Sequence, residues 1–79
     1  MSIWLCNTCA CGVCNDDWSA LDYHYVGDEA TREYTFRTER LETLGWLTPT
    51  WATQDANGER CAVCDGKQWE SMTEFEVGQ

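Results

Sequence analysis

The chain has 79 residues, six of them cysteine, and a formal net charge of −9 from 14 acidic and five basic side chains. We expect a chain this short to form a single domain over residues 1–79. Its apolar core supplies only ~3–5 kcal/mol of stability, so we also expect a bound metal or disulfides to stabilise the fold. The length excludes a multidomain enzyme, the lack of an apolar run near ~18 residues excludes a membrane span, and the acidic balance opposes binding to DNA, RNA or an anionic membrane.

The start of the chain combines an apolar run with two cysteine pairs. Residues 3–5 are apolar and typical of a short strand. They lead directly into the first pair, Cys6 and Cys9, and the second pair, Cys11 and Cys14, follows after one residue. We therefore expect a strand followed by turns that carry cysteines.

The middle of the chain is ambiguous before it becomes helical. Residues 15–17 favour a turn or a helix N-cap, and the aromatic residues within 18–26 fit both helical and strand spacing. Residues 39–44 predict a helix, because helix formers fill them and Gly45 stands where a glycine ends helices. Its start stays open, since the helical spacing also reaches back toward Ala30.

The last third predicts extended segments around a tight turn. Residues 46–47 and 50–53 look extended, with Pro49 at a sheet edge or a bulge. The Asn-Gly pair at residues 57–58 is a strong turn signal, and it leads to the third cysteine pair. Residues 73–79 alternate apolar and acidic side chains, which is typical of a final strand or a frayed tail.

Three Cys-x-x-Cys pairs indicate a metal centre. Two residues between thiolates allow one turn to supply two ligands, and two such turns complete a tetrahedral site of four thiolates. The candidate ligands are Cys6, Cys9, Cys11, Cys14, Cys61 and Cys64. We expect one Zn²⁺ held by the distal pair and one N-terminal pair. The first N-terminal pair is favoured by the strand before it, while Gly12 and Asn15 keep the second as an alternative.

Disulfides and an iron–sulfur cluster are the alternatives to zinc. The cysteine count is even, but Cys-x-x-Cys pairs make poor structural disulfides, and no secretion signal is visible, so we expect a cytoplasmic protein. The spacing of the first four cysteines differs from that of ferredoxins. The leftover pair could form a redox-sensitive dithiol or, with His24, a second metal site. The further ligands considered for that second site are Asp16, Asp17 and Asp22.

Five tryptophans are many for this length. We expect most of them to pack around the metal site and form the core. They are Trp4, Trp18, Trp46, Trp51 and Trp69. Because so small a core leaves some aromatic residues exposed, we predict that Trp51 and Trp69 bind a partner protein.

The pattern resembles the small Cys₄ zinc-ribbon (zinc-finger-like) proteins that are common in bacteriophage and archaeal genomes. The matching pieces are the pair at residues 6–9, the Gly-Trp element in residues 41–46 and the pair at residues 61–64. The pair at residues 11–14 departs from that pattern. The resemblance implies a small α+β metal-stabilised domain, a zinc ribbon with short antiparallel strands and one helix in the insert.

No catalytic arrangement is visible in the sequence. It has a single histidine, and a site closed by four thiolates leaves no open coordination position. We therefore predict a small acidic zinc-binding module without catalytic activity that docks on a basic surface of a larger protein. The alternative is an acidic inhibitor that mimics nucleic acid, like phage host-takeover or anti-defence proteins, and acts in the host cytoplasm on a nucleic-acid-processing enzyme. The oligomeric state stays open.

Overall fold

The described residues, 1–78, of this computed structural model form a three-stranded antiparallel sheet, three helices and the segments that connect them. The elements follow in the order β1 (Ser2–Cys6), α1 (Asn7–Asn15), α2 (Ala20–His24), α3 (Asp28–Leu44), β2 (Trp46–Asp55) and β3 (Ser71–Gly78). β3 lies in the middle of the sheet, antiparallel to β1 on one side and to β2 on the other. The predicted small α+β class with short antiparallel strands agrees with this architecture. Among these residues, no helix combines the length and the apolar composition that crossing a membrane requires.

The sheet joins the two ends of the chain. Leu5 pairs with Thr73 and Cys6 with Met72, so the first cysteine lies beside the last strand. The final strand is confirmed over Ser71–Gly78, while Gln79 lies outside the described residues. This register brings cysteines from the start of the chain to the centre of the fold.

The core is small, and cysteines form a large part of it. The largest side chains that are essentially inaccessible to solvent are Leu5, Cys9, Val63, Cys61, Met72 and Phe75. Only four of these six are large apolar residues, so the thiols stand where a larger protein would place further aliphatic side chains.

The prediction that the tryptophans form most of the core is wrong. Trp46, Trp51 and Trp69 are each about three-quarters exposed, at 76%, 74% and 74%. Trp4 and Trp18 are partly buried and pack against the core. The reason is topological: Trp46 and Trp51 belong to β2, an edge strand that is exposed along most of its length.

The predicted helix of the insert is confirmed, but it begins earlier than residue 39. α3 runs from Asp28 to Leu44, and acidic residues in its first turn favour the positive end of the helix dipole. It ends as predicted at Gly45, whose φ of 93° is easily adopted only by glycine and whose N–H donates to the Leu41 carbonyl.

The prediction of one helix is corrected to three within residues 1–78. Residues 7–15, expected to form turns, are helical as α1, and the ambiguous segment that follows contains the short helix α2. Cysteine, alanine and valine side chains tolerate a helix, and no proline interrupts this stretch.

The predicted bulge and turn both form. The register of β2 against β3 shifts between Pro49 and Thr53, and Trp51 within this bulge has a positive φ of 66°. Asn57 and Gly58 both have positive φ, at 50° and 85°, as the Asn-Gly signal predicts.

Candidate metal centre

Four cysteine thiols from the two ends of the chain meet in the core. The sulfurs of Cys6, Cys9, Cys61 and Cys64 all lie within 4.8 Å of one another, and the first three residues are buried. The Cys6 and Cys64 sulfurs are 3.9 Å apart. A tetrahedral zinc with Zn–S bonds of about 2.3 Å places its sulfurs about 3.8 Å apart, so this spacing is compatible with a metal ion.

The first two thiols come from the junction of β1 and α1. Cys6 is the last residue of β1 and occupies the N-cap position of the helix with φ −66° and ψ 165°. Cys9 follows in the first helical turn. The change from strand to helix therefore turns both thiols toward the same point, at the helix end where the dipole favours thiolates.

The other two thiols lie on a tight turn. The N–H of Cys61 donates to the Gly66 carbonyl at 3.1 Å, which closes the loop that contains both Cys61 and Cys64. The N–H of Val63 donates to the Cys61 sulfur at 3.4 Å. Backbone N–H groups aimed at sulfur stabilise the thiolate, so this turn is suited to a metal ligand.

One hydrogen bond holds this turn against the first strand. The N–H of Ala62 donates to the carbonyl of Trp4 at 3.1 Å. Trp4 lies two residues before the first thiol, so the bond aligns the distal pair with the N-terminal pair.

The second N-terminal pair does not join the cluster. Cys11 is half-buried beside Asn7, and Cys14 is exposed on the same helix. Two residues along an α-helix turn the chain by more than half a revolution, so Cys11 points away from the side of α1 that bears Cys9. Of the six candidate ligands, four therefore come together, and they are the distal pair and the favoured first N-terminal pair.

Gly12 packs against Trp18 and does not belong to a metal-binding turn. A Cβ at this position would overlap the six-membered ring of Trp18. Within residues 1–78 no further metal-ligating side chains gather around Cys11 and Cys14, and His24 is exposed, so the second metal site is not assembled. Burial, with a smaller effect from Cys11, raises the pKa of Cys14, contrary to the lowered pKa of a reactive thiol.

The crowded thiols shift one another's pKa in opposite directions. Hydrogen bonding to Cys61 and Cys64 raises the pKa of Cys6. The pKa of Cys9 is also raised, and hydrogen bonding to Cys6 is the largest cause. Contact with Cys6 lowers the pKa of Cys64 to about 7 and that of Cys61 well below its usual range. Protonated thiols in the cluster can stabilise one or two thiolates by hydrogen bonding. Four thiolates at this spacing repel one another and require a bound cation.

A buried guanidinium contacts the cluster. Arg37 on α3 is only 7% exposed, and its Nη1 lies 3.5 Å from the Cys9 sulfur. Its Nε donates to the Glu33 carboxylate at 2.8 Å. Burial opposes the charge, but the ion pair with Glu33 and the nearby cysteines outweigh it and raise the Arg37 pKa, so the guanidinium stays charged.

Sequence reasoning missed Arg37. The spacing of Glu33 and Arg37 predicts an ion pair between successive turns of a helix. It does not reveal that α3 turns Arg37 toward Cys9, which is 28 residues away along the chain.

Comparison of the chain with protein-family models, with curated proteins and with solved structures found no match. The class that fold and site define is therefore a small α+β domain with a four-cysteine cluster that could hold a metal.

The apparent affinity for Zn²⁺ should fall steeply with decreasing pH. Metal binding lowers the pKa of each ligating thiol, so metal-dependent stability is present at neutral and higher pH and is lost as the pH falls. In the folded protein, Cys6 and Cys9 must lose their protons to bind the metal, whereas an unfolded chain would lose nearly four protons on binding it. The apparent affinity for Zn²⁺ should therefore decrease roughly 10²–10⁴-fold for each unit by which the pH falls. Competition with a chelator of known proton affinity, between about pH 6 and about pH 7.5, measures this slope. An affinity independent of pH would contradict a thiolate site.

Proposed function

We propose that this protein is a small zinc-stabilised protein-interaction module without catalytic activity, which docks on a basic surface of a larger protein. The observation that carries the proposal is the cluster of four thiols, three of them on buried residues. Four protein ligands satisfy a tetrahedral zinc, so the metal has a structural role and no open position for substrate.

The donor set and its spacing favour zinc. Four thiolates in tetrahedral arrangement select Zn²⁺ or iron. The sulfurs lie at the spacing of ligands around one ion, which leaves no room for a cluster of several irons between them. Metal analysis of the purified protein distinguishes zinc from a single iron, and iron would also colour the protein. One equivalent of iron and no zinc would overturn the choice of metal.

The exposed tryptophans support docking on a partner. Trp51 and Trp69 are each 74% exposed, and the ring of Trp69 lies over the turn at Gly58. Trp51 adopts a positive φ in the bulge, a conformation that costs about 1–2 kcal/mol for a residue other than glycine. Such strain recurs at binding surfaces. The net charge of −9 favours a partner with a basic surface.

Replacing either Trp51 or Trp69 with alanine should weaken the partner complex at least ~10-fold, because tryptophans that become buried in an interface contribute much of its binding energy. The protein should not unfold, since both side chains are exposed in the free protein. Cross-linking in cells identifies the partner, and calorimetry with the isolated partner at several salt concentrations measures the affinity. Trp46→Ala removes an equally exposed tryptophan outside the proposed surface and is the matched control.

The same measurement separates the two functions considered. A salt-sensitive complex that is unaffected by DNA or RNA supports the docking module. Competition by DNA or RNA for the same partner would replace it with the nucleic-acid mimic. Failure of both tryptophan variants to weaken the complex would overturn the proposed surface.

A further inference from the structure

We propose that a cavity between α2, α3 and the segment that follows α1 binds one cationic side chain, lysine or arginine, of the partner protein. The inference rests on the proposed function, because it supplies the contact by which a basic surface is recognised. The cavity has a volume of about 400 Å³. Its walls include Asp16, Trp18, Leu21, Asp22 and Tyr34, and it is separate from the four-thiol cluster.

The cavity has an aromatic wall. Trp18 and Tyr34 form an edge-to-face pair with ring centroids 5.9 Å apart and an interplanar angle of 84°. Leu21, which is 3% exposed, adds an apolar surface. Cations are attracted to the faces of aromatic rings within about 6 Å of the centroid, and an apolar wall accommodates the aliphatic stem of lysine or arginine.

Two carboxylates complete the cavity. Asp16 and Asp22 are exposed, and within residues 1–78 neither side chain forms a hydrogen bond or an ion pair. Their neighbour Asp17 differs, because its carboxylate accepts hydrogen bonds from the N–H and hydroxyl of Ser19 and so has a structural role. No basic side chain lines the cavity. The charge of the wall is therefore available to a ligand.

Helix α1 adds to the negative potential. It ends beside the cavity, Asp16 is its C-cap, and its last turn contains no basic residue. The carbonyl end of a helix attracts cations and is made less stable by a carboxylate. A bound ammonium or guanidinium would relieve this unfavourable arrangement.

The position of Trp18 depends on Gly12, which supplies a variant that disrupts the cavity. The indole packs directly on the Gly12 backbone, so Gly12→Ala forces the ring to move. Gly12 is not a member of the four-thiol cluster, and we expect the metal site to persist in this variant.

The test uses Nα-acetyl-lysine methylamide and Nα-acetyl-arginine methylamide as cationic probes. The corresponding norleucine compound is the neutral control. The zinc-loaded, ¹⁵N-labelled protein is titrated with each compound. We follow the Trp18 indole N–H resonance, which is assigned with Trp18→Phe. The two cationic compounds should shift it saturably, and the norleucine analogue should not. Asp16→Asn combined with Asp22→Asn should weaken binding at least ~5-fold. The matched control for charge is Glu39→Gln combined with Glu42→Gln, which lies outside the cavity and should change binding less than ~2-fold.

Gly12→Ala should abolish the response while the spectrum of the Co²⁺-substituted protein stays unchanged, which shows that the loss is not unfolding. Equal shifts of the Trp18 resonance with the norleucine analogue would overturn the proposal. Equal weakening of probe binding by the Asp16/Asp22 double variant and by the Glu39/Glu42 double variant would also overturn it. If the partner complex tolerates the Asp16 and Asp22 substitutions but is broken by Trp51→Ala, this inference fails and the proposed function stands. If the cationic probes bind but no partner is basic, the proposed function fails and the cavity stands.

Discussion

Cys61→Ser is expected to leave the chain without a cooperative fold, even in excess zinc. Cys61 is 1% exposed and belongs to the four-thiol cluster. A structural zinc contributes about 10–16 kcal/mol of apparent binding free energy, whereas a core of this size supplies only ~3–5 kcal/mol. A serine hydroxyl is a poor zinc ligand and is also costly to bury. The variant therefore loses stability from metal binding and from the packing of the core.

Circular dichroism during heating, with and without a chelator, measures this effect, and native mass spectrometry counts the metal. The wild-type chain should contain one zinc and unfold when a strong chelator removes it. Cys11→Ser and Cys14→Ser make the same chemical change outside the cluster, and they should stay within about 0.5 kcal/mol of the wild type. A Cys61→Ser protein that folds and still binds one zinc would show that the ligands are assigned wrongly.

Arg37→Met is expected to destabilise the metal-loaded protein by about 3 kcal/mol. The side chain of Arg37 is 8% exposed and that of Glu33 23% exposed, so removing the guanidinium leaves a carboxylate unpaired in a partly buried position. The Cys9 sulfur also loses its contact with a cationic donor. The double variant with Glu33→Gln should recover part of the loss, because the unpaired charge is then absent.

A metal-centred measurement separates the effect on the site from a general loss of packing. Donors to a ligating sulfur tune metal affinity, and their removal typically weakens it by about 10–100-fold. We therefore expect Arg37→Met to shift the thiolate-to-metal absorption of the Co²⁺-substituted protein and to accelerate transfer of zinc to a chelator. Arg40→Met, at an exposed position on the same helix, should change neither. An unchanged Co²⁺ spectrum in Arg37→Met would limit Arg37 to packing.

Local signals in the sequence accounted for much of the fold. The end of α3 at Gly45, the bulge near Pro49 and the Asn57-Gly58 turn all depend on the backbone preferences of one or two residues. Such preferences act within a few residues, and they are therefore visible in the sequence. The start of α3 was less certain, because aromatic and threonine residues in its first half fit a strand as well as a helix.

By itself, the sequence determined the acidic character of the chain and the spacing of its thiol pairs, which suits a metal. The strand before Cys6 favoured the first N-terminal pair, but only the tertiary structure decided between the two pairs, because both share the same local motif. The choice depends on the register of β1 against β3, which places Cys6 beside Met72, and on α1, which turns Cys11 away from the site. The buried position of Arg37, the exposure of Trp46 and the cavity beside Trp18 likewise arise from packing between distant segments, which no local pattern encodes.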